Sequence, residues 1–267
     1  MIGQTGIRYR KERSLQDTLL VERRGPVTTL VINRPEARNA LDNATARALT
    51  GALNDFDADD AARVAVLVGA GGCFCAGADL KEMAQEGATY EPWAGENGPN
   101  GALLSKPVIA AVAGHAVAGG LGLALRCDIR IAEENAVFGV FSRRWGVPMS
   151  DGTTVMLPRL IGQGRALDML ITGRPVGAEE ALAIGLASRV VRDGEGREAA
   201  EALAWEVARF PQTTMRSDRL SAIRQHGLPL REAFALEAAF AQAAKGELAQ
   251  LGAARFAAGA GRHGSFD

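Results

Sequence analysis

Val108-Ile109-Ala110-Ala111-Val112-Ala113-Gly114-His115-Ala116-Val117-Ala118-Gly119-Gly120-Leu121-Gly122 is the stretch on which the fold turns. Its first five residues form a continuous apolar run, the pattern of a strand buried on both faces of a parallel sheet. Small residues follow, and a helix is expected over Gly119 to Arg126. The same sequence of events occurs upstream. Val64 to Gly69 (VAVLVG) reads as another doubly buried strand. After it comes Cys75-Ala76-Gly77-Ala78-Asp79-Leu80-Lys81-Glu82-Met83, a glycine-containing turn that opens a helix near Asp79. Small residues let backbone approach a ligand closely, and free N–H groups at a helix start favour an oxygen carrying negative charge. One N–H from each turn could therefore grip a single oxyanion. Neither turn carries the G-x-G-x-x-G spacing of a dinucleotide site, and no Gly-Lys-Ser/Thr follows as in a P-loop.

Outward from these turns, Leu19 to Val21 and Val27 to Ile32 read as strands joined at Arg24-Gly25-Pro26. Asp42 is placed to cap a helix over Asn43 to Asp57, with Leu49 and Leu53 on one face. Strands are expected at Ile129 to Ala132, Val137 to Phe138 and Arg189 to Val191, and helices at Gly152 to Leu160, Arg165 to Thr172 and Ala178 to Ile184. The stretch Gly87 to Gly101 has no apolar period and reads as a loop. From Glu198 the chain is alanine-rich and helical, broken at Pro211 and at Gly227-Leu228-Pro229. Strands alternating with helices imply right-handed βαβ units and a mostly parallel α/β sheet. The organisation expected is a core over residues 1–200 and a C-terminal helical region over 201–267. Phe234, Leu236, Phe240 and Leu248 make that region too apolar for a solvated arm, so it should pack on the body or on another subunit.

The chain's 267 residues, 23% charged with a net charge of -1, offer no basic footprint for nucleic acid. No run of about 18 apolar residues suggests a membrane span, and the basic N-terminus lacks the apolar segment of a secretory signal. A cytoplasmic location is the expectation. Cys73, Cys75 and Cys127 are too few and wrongly spaced for a disulfide framework or a zinc site, so reduced thiols and no metal are expected.

The two turns and their surroundings resemble the crotonase (enoyl-CoA hydratase/isomerase) superfamily. The matching segments are Asn33 to Leu41 (NRPEARNAL), Phe74 to Leu80 (FCAGADL), Lys106 to Gly114 (KPVIAAVAG), Ala118-Gly119-Gly120, Phe138-Gly139, Leu157 to Gly162 (LPRLIG) and Leu170 to Gly173 (LITG). Their order and spacing hold from about Leu19 to Ala187. The resemblance implies a spiral of ββα units with C-terminal helices, and a trimer or dimer of trimers. It implies an acyl-CoA thioester as substrate and no cofactor beyond that CoA. It assigns the oxyanion-hole N–H groups to Ala78 and Gly119. It lays the CoA moiety along Ala37, Arg38, Ala40, Ala76, Asp79 and Leu80, with Lys81 placed to approach the CoA phosphates.

The pattern breaks at the chemistry. A hydratase of this family handles its water with two glutamates, which here correspond to Gly122 and Ser142. Ser142 is a poor base, and Gly122 contributes only space. Replacing both with glutamate is expected to raise hydration, given room for their volume. Asp151 is the acid left nearby, one residue along from the aspartate that some members carry on the same turn. It reads equally as a helix N-cap and as a catalytic acid/base, and the two roles are compatible. His115 reads as a packed residue, His226 and His263 as surface residues, Arg143-Arg144 as a solvated or interface pair, and Trp145 as a core tryptophan more than a pocket wall. The sequence thus points to an acyl-CoA enzyme that stabilises a thioester enolate. Double-bond isomerisation or other enolate chemistry through Asp151, and a catalytically silent acyl-CoA-binding subunit, remain the alternatives.

Overall fold

The computed structural model describes residues 18–85, 87–88, 93–95 and 98–261. His263 and parts of the 87–101 stretch lie outside them, as does the side chain of Leu248.

The first described elements form an antiparallel hairpin, β1 (Leu19–Arg24) and β2 (Val27–Ile32). Helix α1 (Asn43–Ala58) follows, capped by the Asp42 carboxylate, which accepts the Thr45 N–H at 2.7 Å. Strand β3 (Val64–Gly69) pairs parallel to β2, and β4 (Val108–Val112) pairs parallel to β3. Beyond β4 lie β6 (Ile129–Glu133) and β9 (Arg189–Val191), also parallel, giving the sheet order β1-β2-β3-β4-β6-β9. A second, smaller sheet holds β5 (His115–Val117), β7 (Val137–Gly139) and β8 (Val176–Gly177).

The two sheets are linked by a repeating path. Each turn of the chain contributes a strand to the large sheet, then a short extended segment to the small one, then a helix. β4, β5 and α3 (Gly119–Arg126) make one such turn; β6, β7 and α4 (Thr153–Ile161) make the next. β3 leads to Cys75, which bridges parallel to Ala116 of β5, and then to α2 (Leu80–Met83). This is the spiral of ββα units that the resemblance implies. Two details differ from the sequence reading. The second glycine turn contains strand β5, three residues too short to show as a period. The helix after Asp79 is a single turn.

The apolar runs are explained by burial on both faces. On one face, Val27, Val31, Val64, Val66, Ile109 and Ile131 pack against Ala200, Leu203, Ala204 and Ala208 of α7 (Gly196–Arg209). On the other, Leu30, Ile32, Leu67 and Ala110 meet Leu49, Leu53 and Phe56 of α1 and Leu121 and Leu123 of α3. Between α4 and α7 lie α5 (Gln163–Thr172) and α6 (Ala178–Ala183). The chain ends in α8 (Gln212–Arg224), α9 (Leu230–Ala244) and α10 (Glu247–Ala257). α9 packs against α8 but buries none of its residues, and Leu230, Phe234 and Phe256 stay 71%, 61% and 66% exposed. No described helix is long and apolar enough to cross a membrane.

Candidate active site

The stretch 34–42 supplies the base of the site. Arg38 and Asn39 both adopt left-handed backbone (φ 52° and 56°), which turns the chain sharply after the short helical turn Pro35–Ala37. Asn39 is fully buried and fixes the turn. Its Oδ1 accepts the Arg34 N–H at 2.8 Å, and its Nδ2 donates to the carbonyls of Ala70 and Cys73. The stretch then runs alongside the first glycine turn. Ala76 N–H donates to Arg38 C=O (3.0 Å), Leu41 N–H to Gly77 C=O (2.8 Å) and Asp79 N–H to Leu41 C=O (2.8 Å). Ala37, Arg38, Ala40, Ala76, Asp79, Leu80 and Lys81 are thereby brought onto one stretch of paired backbone. Arg38, Leu80 and Lys81 are exposed there. The Asp79 carboxylate is already committed. It accepts the Lys81 N–H at 3.0 Å and pairs with Arg34 at 2.9 Å.

The second glycine turn docks on the first. Cys75 N–H donates to His115 C=O (2.9 Å) and Val117 N–H to Cys75 C=O (3.1 Å). Gly77 (φ 101°) packs so closely that a Cβ there would lie 2.9 Å from Gly119 N. Gly120 is equally constrained, since a Cβ would fall 2.0 Å from Cys75 C=O. Ala118, just before α3, sits at φ 50°, ψ -126°, a strained conformation for a residue with a side chain. Among the described residues, neither Ala78 N–H nor Gly119 N–H has a hydrogen-bond acceptor. Two free donors on adjoining turns are what an oxyanion requires.

Both turns line one open cavity, together with Trp93, Phe141, Ser142, Trp145, Met149 and Asp151. Asp151 is 4% exposed, and burial pushes its carboxyl above the usual carboxylate range, opposed by the Thr153 N–H that it accepts at 2.9 Å. Gly152 is the N-cap of α4, so Asp151 stands one residue before the cap, holds the first helical N–H, and is also a cavity group. Its position explains Gly122. A Cβ on Gly122 would lie 2.6 Å from Asp151 Cγ and 2.7 Å from Oδ2. The carboxylate of Asp151 occupies the space that a side chain at 122 would need. The other substituted position, Ser142, is buried, and its hydroxyl donates to Met149 Sδ at 3.0 Å.

Trp145 departs from its sequence reading. It is 71% exposed and lines the cavity, because the turn Phe141–Trp145 turns it outward. Arg144 stacks on Phe141, 4.1 Å from the ring centroid, and donates to Gly173 C=O; Arg143 donates to Leu170 C=O. His115 is half-buried in β5 and lies off the cavity lining, and His226 is exposed. All three cysteines are free thiols; burial pushes Cys75 and Cys127 up to about 12, which makes them inert at neutral pH. Among the described residues, no cluster of three or more His, Cys, Asp or Glu side chains could hold a metal.

Trp93, like Phe141 and Met149, is a cavity residue that the sequence did not single out. It stands in the loop without period, where no pattern signals which side chain turns inward. The loop is tied to the acid turn: Ala94 N–H donates to Ser150 C=O (3.0 Å) and Asn100 Nδ2 to Asp151 C=O (2.9 Å).

Residues 22–257 match the family model described as enoyl-CoA hydratase/isomerase. The chain is 38% identical over 227 residues to the enoyl-CoA hydratase EchA19 of Mycobacterium tuberculosis, covering 82% of this chain and 85% of that protein. It is 37% identical over 209 residues to the (E)-benzylidenesuccinyl-CoA hydratase of Thauera aromatica, covering 76% and 81%. The crystal structure of an enoyl-CoA hydratase from Mycobacterium tuberculosis superposes with a TM-score of 0.84 at 32% identity, over 90% of this chain and 96% of that one. With the family model spanning the spiral and the cavity alike, the chain belongs to the enoyl-CoA hydratase/isomerase family, the crotonase superfamily of acyl-CoA enzymes.

Proposed function

We propose that this enzyme moves a proton on the acyl group of a CoA thioester through an enolate, as in conversion of a 3-enoyl-CoA to a 2-enoyl-CoA. Ala78 N–H and Gly119 N–H receive the thioester oxygen. The Asp151 carboxylate removes the proton from the α-carbon, and negative charge spreads to the oxygen held between the two donors. The carboxylic acid so formed returns the proton to the γ-carbon, and the double bond moves into conjugation. One acid/base group completes the cycle, and CoA enters as part of the substrate.

The observation that carries this reading is the buried Asp151 carboxylate seated over Gly122, in the same cavity as the two free donors. Burial supports the role: a carboxylate with a raised pKa is a stronger base. A group so placed typically supplies about 10²–10⁴-fold in rate, and each aimed backbone donor about 10²–10³-fold. CoA is expected along residues 37–40 and 76–81, with Lys81 towards its phosphates. The apolar faces of α9 and α10 support assembly of residues 201–267 against further copies, as a trimer or dimer of trimers.

Two substrates separate the readings. Offered 3-hexenoyl-CoA, the enzyme should produce 2-hexenoyl-CoA; offered crotonyl-CoA, it should hydrate slowly. Rapid hydration without isomerisation would overturn the Asp151 mechanism. Thioester binding with no conversion of either substrate would make the chain a silent binding subunit.

A further inference from the structure

Two of the chain's three tryptophans, Trp93 and Trp145, line the cavity that holds Asp151, and Phe141 and Met149 join them. Only 5% of the chain is aromatic, so a random lining of this size would hold about one such ring. Trp93 is the innermost. It is 4% exposed, and its ring lies so close to the second glycine turn that a Cβ at Gly119 would fall 2.5 Å from ring carbon Cζ3 and 2.9 Å from Cη2. The glycine that offers a free N–H is therefore also the residue that admits the indole.

The backbone that carries the indole is tied down. Trp93 C=O accepts Asn100 N–H at 2.9 Å, and the same asparagine ties the loop to Asp151. The buried ring is thus carried on a backbone anchored to the turn that holds the carboxylate. Trp145, 71% exposed, lines the same cavity, as does Met149. An alkyl chain gains only from apolar area, in whatever conformation it takes. Aromatic walls and a thioether sulfur favour a flat group, whose ring edges and faces they can meet.

We propose that the acyl group selected by this site carries a flat aromatic ring beyond its α- and β-carbons, and that Trp93 selects it. The proposal rests on the reading of the cavity as the thioester site. It adds the class of substrate and the residue that sets it.

The test is calorimetric binding of 3-phenylpropanoyl-CoA, 3-cyclohexylpropanoyl-CoA and nonanoyl-CoA, which match in carbon count and have no double bond to hydrate or shift. Affinity is thus measured apart from the proton chemistry. The phenyl thioester should bind at least about tenfold more tightly than the other two, the scale of one or two aromatic contacts. Trp93→Phe should keep most of that preference, and Trp93→Leu should remove it while CoA itself binds as before. Equal affinity for phenyl and cyclohexyl thioesters in the parent would overturn the proposal, even if Trp93→Leu does not fold. So would a preference that survives in a folded Trp93→Leu. Failure of all three thioesters and of CoA to bind would overturn the site reading and this proposal with it.

Discussion

Gly122→Ala tests whether the Asp151 carboxylate fills the space beside α3. In an ordinary helix this substitution stabilises by about 1 kcal/mol, because alanine loses less backbone freedom than glycine. Here the new methyl would lie 2.6 Å from Asp151 Cγ, 2.7 Å from Oδ2 and 2.9 Å from Cβ, closer than real Cβ atoms come to their neighbours. Forcing a methyl into a packed site costs about 1–3 kcal/mol, so the net effect should be a loss of up to about 2 kcal/mol. In an Asp151→Gly background the obstruction is gone, and the same substitution should stabilise by about 1 kcal/mol. The sign therefore reverses, with a coupling of about 1–3 kcal/mol in a double-mutant cycle. Thermal melts of the four proteins read it at about 2–4 °C per kcal/mol. Exchange of the thioester α-protons with solvent should fall by up to about 10²-fold in Gly122→Ala, since the displaced carboxylate no longer meets the substrate. Equal stabilisation in both backgrounds, with parental exchange, would mean that Asp151 does not fill the space beside Gly122. The expectation that Gly122→Glu plus Ser142→Glu would raise hydration required room for their volume, and at 122 the Asp151 side chain must first shift or be removed to give it.

Asp151→Asn should abolish proton exchange yet raise stability at neutral pH. The folded-state pKa of Asp151 is raised, so the native state favours its protonated form. That contribution is fully present below the ordinary carboxylate range and is lost as pH rises through the raised value. Asparagine does not ionise and can still accept the Thr153 N–H. Its stability advantage in melts should therefore grow on going from acid to neutral pH, and parity throughout would contradict the burial argument. Gly119→Pro removes the free N–H but also meets the Trp93 ring, so its effect is read against Trp93→Ala alone; a further loss of about 10²–10³-fold in rate is expected, and no loss would exclude the donor. Ser142→Ala, which deletes a hydroxyl bonded to Met149 Sδ, should leave proton exchange within about tenfold of the parent. A collapse of rate with the fold intact would give Ser142 a direct part.

The parallel strands were legible because burial on both faces writes an unbroken apolar run, as in Val64–Gly69 and Val108–Val112. The Asp42 cap and the breaks at Pro211 and Gly227 were legible because local backbone chemistry decides them. Strand β5 escaped because His115–Val117 is shorter than any period and lies among glycines that read as a turn. The complementarity of Gly122 and Asp151 joins residues on different turns of the spiral, and no spacing rule encodes it. Trp145 was misjudged for a related reason. A tryptophan is usually core, and only the outward turn of Phe141–Trp145 leaves this one at a cavity rim. The apolar C-terminal residues were read as wanting cover, and within one chain α9 leaves Leu230 and Phe234 exposed.

If Asp151 moves a proton at the α-carbon of a bound thioester, deuterium must enter at that carbon when a saturated acyl-CoA is incubated with the enzyme in D₂O and followed by mass spectrometry. The parent should incorporate deuterium steadily, with a rate that rises with pH to a midpoint above the ordinary carboxylate range, and a folded Asp151→Asn that still binds the thioester should stay near background. Incorporation by Asp151→Asn at the parental rate would contradict that role for Asp151.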